Sequence, residues 1–180
     1  TVINPYALFN MWKYYGQHRP DFANQAHDQQ ESVWDYPRPP ALVECDQLIE
    51  VRVANLSVAR SDRCKRVLET ASPPTIYIPP EDIALEHLIL VRGNSFCEWK
   101  GAAVYWALAE SVRSQAIGWS YPDPKPAFET IHDWICFYPG RIECYINNER
   151  VRPQEGGFYG GWVTNNIAGP WKGAPDTGHW

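Results

Sequence analysis

No CxxC pair, no H-x-H or H-x-x-x-H spacing and no D-x-D pair occurs anywhere in the 180 residues. The missing CxxC excludes a structural zinc site of the paired-cysteine kind. The five cysteines, at 45, 64, 97, 136 and 144, are odd in number, so at least one stays unpaired. That argues against a secreted disulfide framework and for a reducing compartment. Five histidines, at 18, 27, 87, 132 and 179, could reach a common metal only from distant segments, so no metal site and no cofactor is expected. Surplus positive charge is missing as well: 16 Lys and Arg stand against 21 Asp and Glu, a net charge of −5. A sequence-independent nucleic-acid binder needs cations to displace counterions, so no nucleic-acid partner is expected. No apolar run approaches the length that spans a bilayer, and "TVINPYALFNMWKYYGQHRP" has no positive start followed by an apolar core. The chain reads as soluble and cytoplasmic, with no membrane partner. It opens on Thr1 instead of Met, from which N-terminal processing or trimming is expected.

What is abundant points to strands. Nine tryptophans, ten tyrosines and sixteen prolines favour strands joined by proline-bounded turns over long helices, and the length suits one domain with a real core. The expected layout is an N-terminal arm over residues 1–30, a β-rich core over 31–152 and a docked tail over 153–180.

In the arm, Leu8, Met11, Trp12 and Tyr15 have helical spacing ended by Gly16, which predicts a short amphipathic helix, and "QHRPDFANQAHDQQES" reads as a linker. From Leu48 the chain alternates, with Ile49, Val51 and Val53 on one face and Glu50 and Arg52 on the other. Asn55 interrupts before Leu56 and Val58 resume, the pattern of a hairpin or a bulged strand pair. "TIYIPP" predicts a short strand stopped by prolines, and Pro80 with the acidic residues after it predicts one or two helical turns. "LILVRG" and "AAVYWALA" read as strands, the second buried on both faces. "WICFYPGRIECYI" reads as a hairpin about Pro139-Gly140.

Two echoes run through the chain. "WDYPRPPA" from Trp34 matches "WSYPDPKPA" from Trp119, and "WKGA" occurs at Trp99 and again at Trp171. They point either to a pseudo-symmetric β architecture or to turns that demand the same residues. The tail from Pro153 holds seven glycines and three tryptophans, too little periodicity for an element and too many aromatics for a free linker. It is expected to dock on its own domain, with docking on a second copy, and hence a homodimer, as the alternative.

"ESVWDYPRPP", "RVLETASPPTIYIPPEDI", "SFCEWKGAAVYW", "WSYPDP" and "FYPGRIECYI", in that order, resemble the successive motifs of the domain of unknown function 427 family, over roughly Glu31 to Arg152. The glycine-rich tail resembles the extension of longer bacterial members, cyanobacterial ones among them. The resemblance implies a mainly β fold of two antiparallel sheets packed as a β-tent or sandwich-like domain, with few helical turns, and no established reaction. The family is sometimes labelled nucleotidyltransferase-like. Such chemistry wants a Gly-Ser turn and a D-x-D or D-x-E pair for Mg²⁺, which "GNS" at Gly93 and the rest of the chain do not supply.

The candidate site gathers around "SFCEWK". Cys97 and Lys100 can face each other if the segment turns, which Gly101 favours, and a lysine ammonium lowers the pKa of a neighbouring thiol. A catalytic reading would use Cys97 or the Lys100/Glu69 pair, with His87 as base and Glu69, Asp82 or Glu98 as orienter. The plainer reading makes Cys97 a small buried hydrophobe and Lys100 a surface charge. Tyr77, Asp82, Trp99, Tyr105, Trp119 and Tyr121 are candidate pocket walls. Glu69, Tyr77, Asp82, Cys97, Lys100 and Trp119 are expected to converge on one cavity. Arg60, Arg63 and Arg66 could grip a phosphate or carboxylate, or belong to a solvated charged face. Three function classes follow: a binding domain for a small anionic or aromatic ligand, an enzyme acting on a small metabolite through the residues above, or a scaffold recruiting a partner through its aromatic tail.

Overall fold

The computed structural model describes residues 12–111 and 115–180. Fifteen strands run through them: β1 Glu31–Ser32, β2 Ala41–Cys45, β3 Ile49–Val53, β4 Leu56–Ser61, β5 Cys64–Leu68, β6 Thr75–Tyr77, β7 Leu88–Cys97, β8 Gly101–Leu108, β9 Gly118–Ser120, β10 Cys136–Phe137, β11 Glu143–Ile146, β12 Glu149–Arg150, β13 Arg152–Pro153, β14 Trp162–Val163 and β15 Ile167–Ala168. The helical elements described are short 3₁₀ turns at Pro80–Asp82, Leu85–His87 and Pro126–Ile131. The fold is mainly β. The helix expected over "YALFNMWKYYG" falls largely on residues 1–11, outside the described residues, and residues 12–16 carry no helix.

Three sheets build the body, in the orders β12-β11-β3-β4, β2-β5-β6 and β10-β9-β8-β7, with antiparallel neighbours throughout. The last two meet edge to edge where Ile78 and Ile135 exchange backbone hydrogen bonds of 2.9 and 3.0 Å, so β6 and β10 form the middle of one composite surface. Alternation then separates two cores. Ile76, Ile78, Ile135 and Phe137 face the layer of Ile49, Val51, Val58 and Cys144, while Tyr77 and Cys136, between them in sequence, face Trp119, Tyr121, Ala103 and Phe128 on the other side. This is a sandwich-like packing with a second, aromatic core behind it.

The β3–β4 pair is both hairpin and bulge: the turn is Ala54-Asn55, with Ala54 at φ +49°, and the register shifts between Val51 and Arg52. Ile49 and Val51 are fully buried, and the outward Glu50 and Arg52 pair with Arg60 at 3.5 Å and Glu143 at 3.6 Å.

Two expectations are corrected and one open choice is narrowed. The strand over "AAVYWALA" is not buried on both faces: Ala103 and Ala107 are buried, Ala102 is exposed, and Tyr105 and Trp106 are half-buried. The two runs around Pro139-Gly140 do not pair with each other. β10 joins β9 and β11 joins β3, so this turn carries the chain from one sheet to the other. A tight turn permits a hairpin but does not require one when each run has a longer partner strand available. The Pro-rich echo occupies unlike settings, since Trp34 sits in a turn before β2 whereas Trp119 lies on β9 and is followed by the 3₁₀ turn at Pro126–Ile131. Turn chemistry explains the likeness.

The described part of the arm, residues 12–30, and the tail pack on this chain's own body. β15 pairs parallel with β1, Trp162 is 1% exposed and its indole Nε1 donates to the carbonyl oxygen of Phe137 at 2.9 Å. Trp180 stacks on Phe22 at 4.9 Å and meets Trp34 edge-on at 5.5 Å, which joins the tail to the segment read as a linker.

Candidate functional site

The aromatic face of the composite surface opens into a pocket of about 380 Å³. Strand register builds its floor. Cys136 pairs with Trp119, Trp119 with Tyr105 and Tyr105 with Val91, one row across four strands. Directly opposed residues share a face, so the row brings Trp119 and Tyr105 to the same side. Trp119 Nε1 donates to Tyr77 Oη at 3.2 Å and Tyr105 Oη donates to Ser95 Oγ at 2.7 Å, which fixes both rings. Burial raises the Tyr77 and Tyr121 hydroxyls well above the ordinary tyrosine pKa, so both stay neutral hydrogen-bonding groups.

The turn between β7 and β8 is Glu98-Trp99-Lys100, and Gly101 after it takes φ +104°. That positive φ suits glycine, and it closes the strand pair so that Cys97 and Lys100 both line the pocket. Lys100 is 8% exposed, and its ammonium lies 5.8 Å from the Tyr121 ring and 5.6 Å from the Phe128 ring. Among the described residues no carboxylate pairs with it. Trp99 Nε1 is also buried without a hydrogen-bond partner.

A second lysine enters from the tail. Lys172 is 4% exposed, with Nζ 3.9 Å from Glu69 Oε1 and 4.5 Å from the Trp12 ring. Glu69 already accepts from Arg38 Nε at 3.2 Å, and Arg38, whose side chain is fully buried, also donates to the carbonyl oxygens of Tyr14, Thr70 and Trp180. The tail roofs the pocket with Gln154, Phe158, Tyr159, Gly160 and Gly161. A Cβ on Gly160 would stand 2.2 Å from the Trp119 ring, so only glycine lets the roof approach that wall. Phe96 and Phe158 line the same pocket yet are 70% and 69% exposed, leaving an aromatic rim.

Of the residues singled out in the sequence, Glu69, Tyr77, Cys97, Glu98, Trp99, Lys100, Tyr105, Trp119 and Tyr121 line this pocket. Five others do not. Asp82 faces away, accepting from Ser61 Oγ at 2.6 Å and from Arg63 Nη2 at 2.7 Å. Arg63 is thereby occupied, Arg60 pairs with Glu50 and Arg66 pairs with Glu31. His87 ends the 3₁₀ turn just before β7 whereas Cys97 ends β7, which separates them by on the order of 30 Å of strand. It cannot serve as base for that thiol. Sequence reading passed over Arg38 and, within the pocket, Lys172, Trp12, Tyr138 and Tyr159. One signal for Lys172 was available: the repeated "WKGA" places its lysine in this pocket both times.

A family model described as Domain of unknown function (DUF427) matches residues 41–148. The chain belongs to the DUF427 family. No curated protein gives a significant match to it. The DUF427 region supplies the floor and walls, including Glu69, Tyr77, Cys97, Lys100 and Trp119. Trp12, Gln154, Tyr159 and Lys172 reach the pocket from outside the matched region.

Proposed function

We propose that this chain is a binding domain for a small ligand that combines an aromatic or planar body with an anionic group. The observation that carries the reading is Lys100, an almost fully buried ammonium that has no carboxylate partner among the described residues and faces a 380 Å³ pocket. A buried charge without a counter-ion is costly, and sites of this size with aromatic walls and few polar groups are the usual form of a small-molecule pocket. An anionic ligand supplies the missing partner. Tyr77, Tyr105, Trp119 and Tyr121 offer flat walls to its body, and the free indole N–H of Trp99 adds an unfilled donor nearby. The tail's Trp162 and Trp180 turn inward, onto Phe137, Phe22 and Trp34, which favours this reading over recruitment of a partner through them.

The test is a thermal-shift screen of small carboxylates and phosphates, aromatic and aliphatic, followed by calorimetry on Lys100→Met. A ligand of the folded state raises the melting temperature with the logarithm of its concentration once that exceeds Kd. The expected result is a set of aromatic anions that stabilise the wild type and bind Lys100→Met at least about tenfold more weakly, the loss of one modest charge-assisted bond. Equal binding by the variant, or no stabilisation by any anion at millimolar concentration, would count against the reading.

A further inference from the structure

We propose that Lys172 is an amine nucleophile that captures a small anionic aldehyde or ketone in this pocket as a covalent imine. The inference rests on the reading of the pocket as an anion site and adds a reaction to it.

Lys172 is held from both sides by its backbone. Its N–H donates to the carbonyl of Ala71 at 2.9 Å and its carbonyl accepts from Gln154 Nε2 at 2.7 Å. The amine is thereby fixed against the pocket, 4% exposed, between the rings of Trp12 at 4.5 Å and Tyr159 at 5.1 Å. The charges around it do not balance. Glu69 is shared with Arg38, which sits closer at 3.2 Å, and Lys100 adds a third cation, so three cations stand against the two carboxylates Glu69 and Glu98. The cheapest way to relieve that excess is for one ammonium to give up its proton. Burial lowers the Lys172 pKa below 10.5; Glu69 and Glu98 work against that, and Arg38 and Lys100 work with it. A lysine desolvated beside other cations is the usual form of an amine activated for attack on carbonyls.

The step balances within the pocket. The neutral amine of Lys172 attacks the carbonyl carbon, a C–N bond forms, and the C=O π pair moves to oxygen, which takes up a proton. The carbinolamine then loses water as the nitrogen lone pair closes the C=N bond. Glu69, 3.9 Å from the amine, is placed to accept the proton released by nitrogen and return it to the departing oxygen. Lys100 holds the anionic group, so the two lysines of the repeated "WKGA" divide the work: one binds and one reacts.

The experiment incubates the intact protein with glyoxylate or 4-carboxybenzaldehyde and sodium cyanoborohydride at neutral pH, then maps adducts by peptide mass spectrometry. Lys13 and Lys125, both exposed, are the internal references for surface lysines. Binding in the pocket holds the carbonyl beside the amine, so Lys172 is expected to be alkylated at least about tenfold faster than either reference, with saturation in aldehyde concentration. Lys172→Arg keeps a long basic side chain but removes the amine nucleophile, and it abolishes the fast adduct. Benzoate and terephthalate, which cannot form imines, are run in parallel by thermal shift. If they stabilise the protein but Lys172 reacts no faster than the references, or if Lys100 is the residue modified, the imine is overturned and the anion site stands. If neither stabilisation nor fast alkylation occurs, both fall.

Discussion

Arg38 Nε donates to Glu69 Oε1 across 3.2 Å, joining the turn before β2 to the pocket wall that follows β5. The same guanidinium spreads its remaining donors over the carbonyls of Tyr14, Thr70 and Trp180 and so ties the arm, body and tail together. Arg38→Met is expected to destabilise the fold by about 3 kcal/mol, because it leaves buried acceptors and one carboxylate without their cation. Denaturant unfolding checks the size. Hydrogen exchange checks the place: faster exchange should concentrate at residues 174–180 and beside Tyr14 rather than across β3 and β4.

The pocket roof offers a paired test. Gly160→Ala puts a methyl into the Trp119 ring, so it is expected to cost about 1–3 kcal/mol and weaken any pocket ligand. Gly157→Ala, with open space around its Cβ but φ +70°, should cost about 1 kcal/mol through backbone strain alone and leave affinity unchanged. Unfolding curves and titration of the same two variants separate steric closure from strain.

Stability should fall in acid through Glu31. Burial works to raise its pKa, but hydrogen bonds from Arg66 and Tyr36 prevail and hold it below 4.5. A carboxylate whose folded pKa is depressed stabilises the fold above its unfolded pKa, and that contribution is lost as pH falls through the folded value. The melting temperature is therefore expected to decline below about pH 5. Glu31→Gln should start lower at pH 7 and lose less on acidification; parallel slopes for the two proteins would contradict the assignment.

Thiol counting gives a direct reading of burial. Cys45, Cys64, Cys136 and Cys144 are buried, and burial pushes their thiols up, to about 12 for Cys64. Cys97 is half-exposed and lines the pocket. A thiol reagent under native conditions should label one cysteine, Cys97, and all five after denaturation, with pocket ligands slowing the native reaction. Labelling of two or more at comparable rates in the native protein would show that the buried set is not closed.

Trp162 should prove the tail's main anchor. Trp162→Ala removes a fully buried indole and its bond to Phe137, for an expected loss of about 3–5 kcal/mol by thermal or chemical unfolding.

Much of this protein was written locally. Period-two alternation from Ile49 to Val53 determines a strand with one buried face, and Gly101 determines a turn that lets Cys97 and Lys100 line one pocket. The abundance of tryptophan, tyrosine and proline determines the β class. These are short-range consequences of side-chain direction and backbone sterics, so adjacent residues suffice to read them. Partner choice is different in kind. Whether the run before Pro139-Gly140 pairs with the run after it depends on β9 and β3 competing for the same hydrogen bonds, and both lie far away in the chain. Tertiary structure likewise decided that Asp82 spends its charge on Arg63, that the whole of β7 separates His87 from Cys97, and that Lys172 comes 72 positions after Lys100 to face the same pocket. A charge's role depends on which counter-ion reaches it after folding, and that is a property of the packed chain.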